Sequence, residues 1–301
     1  MSNFVFVFPG QGAQKSGMGK DIYEAHPEAK AVFDQFPDVR DICFEGDAEQ
    51  LKQTSVTQPA IYLMSVAIDR VLKSKGLNPV KTAGHSLGEY AALTSAGVIS
   101  LDDGMKIVTE RGRLMEEAGQ TVPGTMAAVI GMDDETVIET CNSIDGVIEA
   151  VNFNAPGQVV ISGDKTVLEN SVSIFKEKGA RLVRLLPVSG AFHSSLLTEV
   201  GEEFKNFLSS YSFNDFLCPV VANVTAEEYQ GKEQIVDLLS KQIYSPVLWV
   251  KSIQNITAQG LTQFVEVGPG TVLKGLIGKI NSDTEVVPVG TEITLSEFLN
   301  K

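Results

Sequence analysis

Apolar positions along the chain follow two periods, and their alternation predicts an α/β protein. A continuous apolar run predicts a buried strand at Phe4–Phe8, strands are expected over 219–224 and Phe264–Val267, and Val80–Ala83 can extend as another. Helical spacing predicts Ala60–Lys75, following Pro59, with Ile61, Met64, Ile68, Val71 and Leu72 on one side. A second helix starts at Leu87 and closes at Gly97, and a third runs from a capping Ser100 to Ala118 and stops at Gly119. Leu196, Leu197, Val200, Phe204, Phe207 and Leu208 mark a further helix, and others are expected near 233–243 and over Thr271–Ile280. Residues 21–53 are polar and helical in tendency.

Residues 125–188 change character. Strands at Met126–Ile130, Val147–Phe153, Gln158–Ser162 and Arg181–Val188 alternate with helices at Asp133–Asn142 and Lys165–Lys178. The order βαββαβ is the ferredoxin-like arrangement, which is self-contained. The expected fold is therefore α/β: a hydrolase-like large subdomain with a parallel sheet, residues 1–124 and 189–301, carrying an inserted ferredoxin-like small subdomain at 125–188.

Composition narrows the function classes. With 301 residues, 43% hydrophobic and 21% charged, the chain suits a soluble two-subdomain protein, and no apolar run is long enough to span a membrane. A net charge of −14 without a basic stripe argues against a nucleic-acid partner. Cys43, Cys141 and Cys218 fit no metal or disulfide spacing, so no metal is expected and a reducing cytoplasm is the expected setting.

Two phosphate-loop patterns fail on their letters. A dinucleotide fingerprint beginning at Gly10 needs glycine where Lys15 stands, and a nucleotide loop ending at Gly19-Lys20 needs glycine at Gln14 and a hydroxyl at Asp21. Gly84-His85-Ser86-Leu87-Gly88 instead has the nucleophile-elbow pattern between strand and helix: the glycines allow a tight turn and the hydroxyl stands exposed. Glycine-flanked serines also occur in plain strand–helix turns. A serine nucleophile needs a proton acceptor, and only three histidines exist. His26 lies in a charged stretch and is expected to face solvent, and His85 is expected to diverge from its neighbour Ser86. His193 follows a strand in a glycine-bearing turn at an expected helix start, which would disfavour imidazolium. A buried structural role is its alternative. No acid is marked out as a third member. Arg111 falls in the middle of the apolar face of the helix beginning at Ser100, while Arg113 points to the polar side. A guanidinium there is costly unless something anionic meets it, and a structural ion pair would also account for it.

These motifs together resemble the malonyl-CoA:acyl-carrier-protein transacylase family. The resemblance is carried by FPGQGAQ at 8–14, GHSLGEY at 84–90, RGRLM at 111–115, NAPGQVVISG at 154–163, PVSGAFHS at 187–194, QIYSPVLW at 242–249 and EVGPGTVLKGL at 266–276. It implies transfer of a malonyl group from malonyl-CoA to the phosphopantetheine thiol of an acyl carrier protein, in a ping-pong exchange through a malonyl ester of Ser86. By the same resemblance His193 is the base, the backbone N–H groups of Leu87 and Gln11 form the oxyanion hole, and the main-chain carbonyl of Gln242 orients the histidine. Arg111 would clamp the malonyl carboxylate, and Phe192 would crowd a branching methyl. No cofactor is implied, malonyl-CoA being a substrate, and a monomer is expected. An acyl-thioester hydrolase of the same fold is the alternative, disfavoured by Arg111; a non-catalytic scaffold is disfavoured by the intact Ser86, His193 and Arg111. Because carrier protein and CoA are anionic, a local basic rim using Lys165, Lys274 or Lys279 is expected on this acidic chain.

Overall fold

Four consecutive apolar residues, Val5–Phe8, form strand β1, whose side chains are all buried. Such a run suits a strand covered on both faces. In the computed structural model, which describes residues 3–188 and 190–300, β1 is the centre of a five-stranded parallel sheet. Helices α1 (Lys20–Ala25), α2 (Pro27–Phe33) and α3 (Pro37–Glu45) occupy the polar stretch and lead to the long α4 (Thr54–Ser74). Strand β2 (Lys81–Gly84), α5 (Gly88–Ser95) and α6 (Leu101–Thr121) follow.

The central segment contributes β3 (Gly124–Ile130), α7 (Asp134–Asn142), β4 (Ile148–Ala155), β5 (Gln158–Asp164), α8 (Lys165–Glu177) and β6 (Leu182–Leu185). Its strands pair antiparallel in the order β4-β5-β3-β6, which is the ferredoxin-like order. The chain then forms α9 (Thr198–Leu208), β7 (Val220–Val221), α10 (Ile235–Gln242), α11 (Trp249–Ala258), β8 (Gln263–Val267), α12 (Val272–Ile280), β9 (Glu285–Val289) and α13 (Glu292–Leu299). The parallel sheet has the order β7-β2-β1-β8-β9. Ser189, inside the 187–194 motif and at the expected return to the large subdomain, lies outside the described residues, as do Met1, Ser2 and Lys301.

Several expected boundaries shift. Helix α4 begins at Thr54 and carries Pro59 inside it. Helix α6 passes through Gly119 to Thr121, because Gly119 does not take the left-handed conformation of a helix-ending glycine and Pro123 stands beyond the end. The strand expected over 219–224 is only Val220–Val221. The last strand and helix, β9 and α13, escaped the sequence reading. Strand β9 is a polar-flanked sheet edge with Pro288 in it, a weak strand signal.

Because β1, β2, β7 and β8 are parallel, their C-terminal ends share one edge of the sheet. That edge is where open α/β sheets place ligands. The two subdomains are stitched there. Val247 N–H donates to the Val151 carbonyl at 2.8 Å, and Phe153 N–H donates to the Val247 carbonyl at 3.1 Å. Ser195 N–H donates to Glu149 of β4 at 2.9 Å. The small subdomain thus closes over the turns that follow the parallel strands.

Candidate active site

The turn after β2 is shaped by two glycines. A Cβ on Gly84 would come within 2.0 Å of the Gly88 backbone, and one on Gly88 would come within 2.0 Å of the Phe8 carbonyl oxygen. Only glycine lets α5 start this close to β1 and β2. The tightness forces Ser86 into the left-handed region at φ 51°, uncommon for a residue with a side chain. Asn223, just past β7, holds the strained turn on both sides. Its Oδ1 accepts from Ser86 N–H at 2.7 Å, and its Nδ2 donates to the Gly84 carbonyl at 2.6 Å.

Ser86 Oγ lies 2.8 Å from His193 Nε2. His193 Nδ1 lies 2.7 Å from the main-chain carbonyl of Gln242. A carbonyl can only accept, so Nδ1 carries the proton and the Nε2 lone pair faces the serine hydroxyl. No carboxylate is needed to fix this tautomer. His193 is 3% exposed and itself adopts φ 64°, held by its N–H to the Ile243 carbonyl at 3.1 Å.

The expectation that His193 opens a helix is not met: a short 3-10 turn, Ser195–Leu197, intervenes before α9. The ring is kept neutral by other means. Burial first, and then the Arg111 charge, lower its pKa to about 3.

Arg111, on α6, is 1% exposed. Its Nη1 donates to Gln58 Oε1 at 2.8 Å, and its Nη2 donates to Gln242 Oε1 at 2.9 Å and to Ser86 Oγ at 3.1 Å. All three acceptors are neutral, so the anionic partner or structural ion pair expected for a buried guanidinium is not what holds it. With Arg111 donating to Oγ, the serine's own proton is directed to His193. Arg113, in contrast, points to the polar side and pairs with Glu110 and Glu117.

These groups face a cavity of about 110 Å³ whose walls include Gln11, Leu87, Phe192 and Met126. Leu87 stands at the N-terminus of α5 and Gln11 in the loop after β1, and both line the cavity together with Ser86. The Gln11 side chain turns away to Thr54 Oγ1 at 3.3 Å. A second cavity of about 230 Å³ adjoins the first through Gln11, His85 and Asn152 and reaches Asn154, Gln158 and Val272.

The other two histidines stand apart from the proton relay. His85 Nε2 bonds Asn154 Oδ1 at 2.7 Å, and its ring meets Trp249 edge-on. His26 does not face solvent freely: its Nε2 lies 2.6 Å from Glu292 on α13, a partner in the part of the chain whose structure was not anticipated. Of the expected basic rim, Lys279 donates to Gln158 at 3.2 Å, beside the second cavity. Lys274 lines a different cavity against β9, and Lys165 begins α8 at the far end of β5.

Sequence reasoning missed Gln58, Glu89, Asn223 and Tyr229. Glu89 had a usable signal, being a carboxylate on a short helix buried on every side. Asn223 and Gln58 had none, since their roles depend on which distant segments meet them.

Residues 5–290 match the acyl transferase domain family. The chain is 40% identical to the malonyl CoA-acyl carrier protein transacylase of Bacillus subtilis over 303 residues, covering 98% of this chain and 96% of that protein. It is 42% identical over 299 residues to the protein of the same name from Staphylococcus aureus, covering 97% and 96%. Among solved structures, the malonyl-CoA:acyl carrier protein transacylase of Xanthomonas oryzae superposes with a TM-score of 0.96 at 36% identity, covering 100% of this chain and 98% of that one. A malonyl-transacylase solved in complex with a type II polyketide acyl carrier protein superposes with a TM-score of 0.95 at 38% identity, covering 99% of both.

Proposed function

The chain belongs to the acyl transferase domain family, and from that premise we propose how its own residues carry out the reaction. It is an S-malonyltransferase that moves malonyl groups from malonyl-CoA to an acyl carrier protein, feeding fatty-acid or polyketide synthesis. Ser86 Oγ attacks the malonyl thioester carbonyl while its proton passes to His193 Nε2. The carbon–sulfur bond breaks, and the CoA thiolate takes that proton as it leaves. The carrier protein's phosphopantetheine thiol then gives a proton to Nε2 and attacks the ester. The bond to Oγ breaks, and the proton returns to Ser86.

The observation that carries this reading is the relay from Gln242 carbonyl to His193 to Ser86 with a buried guanidinium against the same Oγ. The Arg111 fork is within reach of a carboxylate a few bonds beyond Oγ and can grip it through parallel hydrogen bonds. The Leu87 N–H, at the N-terminus of α5, and the Gln11 N–H, in the loop after β1, would receive the oxyanion, and losing one such donor typically costs about 3–4 kcal/mol of barrier. Phe192, in the cavity wall, crowds a methyl branch on the acyl chain. The scheme uses no cofactor. We further propose a cytoplasmic monomer; no helix among the described residues is long and apolar enough to cross a membrane.

The test is intact-protein mass after brief mixing with malonyl-CoA. A malonyl adduct that Ser86→Ala abolishes and Arg111→Ala sharply reduces supports the reading. Release of free malonate and CoA with no adduct would favour a hydrolase and sink it.

A further inference from the structure

Arg111 and Glu89 are each 1% exposed, and among the described residues neither takes part in an ion pair. A buried lone charge of either sign is costly, so two within one network require an account. Gln242 stands between them. Its Oε1 accepts from Arg111 Nη2 at 2.9 Å, and its Nε2 donates to Glu89 Oε2 at 2.5 Å and to the Ser86 carbonyl at 3.0 Å. Glu89 is completed by Tyr229 Oη at 2.6 Å and Asn223 N–H at 3.2 Å.

We propose that Glu89 is the counter-ion of Arg111, held one amide away as a positioning residue, so that the guanidinium stays compensated yet keeps its fork for a substrate carboxylate.

The chemistry of the intermediate amide supports this. A carboxylate can only accept, so it turns the NH2 of Gln242 toward itself and the oxygen toward Arg111. A carboxylate in direct contact would satisfy the guanidinium through charge-assisted bonds, roughly twice as strong as neutral ones, and malonyl would have to displace it. Neutral amide oxygens are easier to displace. Arg111 Nε has no hydrogen-bond partner, so the guanidinium is not saturated. Tyr90 and Tyr229, beside Glu89, are pushed above their ordinary range by burial and bring no charge. Burial raises the Glu89 carboxyl to about 7, a rise opposed by Tyr229, Gln242, Asn223 and Arg111.

The account of the fork rests on Arg111 being the malonyl clamp, whereas the charge pairing itself does not, and the experiment separates them. Unfolding equilibria of wild type, Glu89→Gln, Arg111→Gln and the double variant form a thermodynamic cycle. Glutamine at 89 can still accept from Gln242 and Asn223 while donating to the Tyr229 hydroxyl, so it removes the charge and keeps the bonds. The expected result is that Glu89→Gln lowers the folding equilibrium constant at least tenfold more when Arg111 is present than when it is Gln. Additive effects would overturn the proposal. Should Glu89→Gln alone fail to fold, folding of the double variant upholds the coupling, and failure of both overturns it.

A merely structural Glu89 would not respond to the acyl group. Malonylation of Ser86 is expected to raise the melting temperature several degrees more in Glu89→Gln than in wild type, and acetylation is not. Equal gains with a coupled cycle would uphold the counter-ion and remove the clamp.

Discussion

Asn223 grips Ser86 from both sides of the peptide chain, accepting from the serine's own N–H and donating to the carbonyl of Gly84 two residues earlier. The left-handed backbone of Ser86 is thereby held by a residue from the turn after another strand of the sheet. Asn223→Asp keeps the acceptor and the size but loses the donor to Gly84. It should cost about 1–3 kcal/mol of stability by leaving that buried carbonyl unpaired. Turnover should fall at least about tenfold through displacement of Oγ. The Michaelis constant for malonyl-CoA should hold, because Asn223 does not touch Arg111. Steady-state kinetics and urea unfolding check both parts; loss in KM alone would contradict the assignment.

Gly88→Ala tests the packing of the elbow. The added Cβ would lie 2.0 Å from the Phe8 carbonyl oxygen, an atom of the central strand that cannot step aside. Overpacking of this kind costs typically about 1–3 kcal/mol, occasionally more. Thermal unfolding should therefore drop by several degrees, with malonylation of Ser86 lost in parallel. A variant of native stability and activity would show that α5 can slide away from β1.

The buried His193 links stability to acid. Its folded pKa is lowered to about 3, against about 6.5 for an unfolded histidine. Above the unfolded value neither state binds the proton and this group costs nothing. As pH falls from about 6.5 toward 3, the unfolded chain takes up a proton that the folded chain refuses, and stability drops by up to about 1.4 kcal/mol per pH unit. Urea titrations between pH 7 and pH 5 should show His193→Gln less acid-sensitive than wild type by that slope. Parallel curves would mean that the folded imidazole protonates normally.

Lys279 stands beside the second cavity through its bond to Gln158. On a chain of net charge −14, one local cation at the mouth can still assist an acidic partner's approach. Lys279→Glu should raise the KM for carrier protein by roughly 3–10-fold, an effect that salt reduces, with little change in kcat. Unchanged carrier-protein kinetics would remove Lys279 from the docking surface.

Local sequence carried much of this protein. The apolar run Val5–Phe8 marked β1, because a strand covered on both faces favours apolar residues throughout. Ser86 was readable from its flanking glycines, whose absent side chains are a local requirement of the turn. Arg111 was readable as a charge on an apolar helical stripe. What meets those residues was decided elsewhere. Asn223 and Gln58 are ordinary polar residues at positions with no periodic or motif signal of their own, and the 242–249 motif marked the Gln242 carbonyl but not its side chain. Asn223 and Gln242 matter because the fold brings them to Ser86 across 137 and 156 positions, and Gln58 because α4 brings it to Arg111 across 53. A buried polar network is specified by mutual satisfaction of donors and acceptors, a property of the folded arrangement rather than of any one stretch. The sequence therefore marked Ser86 and His193 as the candidate nucleophile and base and Arg111 as an anomalous arginine. Only the tertiary structure decided that the arginine's neighbours are neutral amides with a carboxylate one step behind them, because that depends on which distant side chains meet.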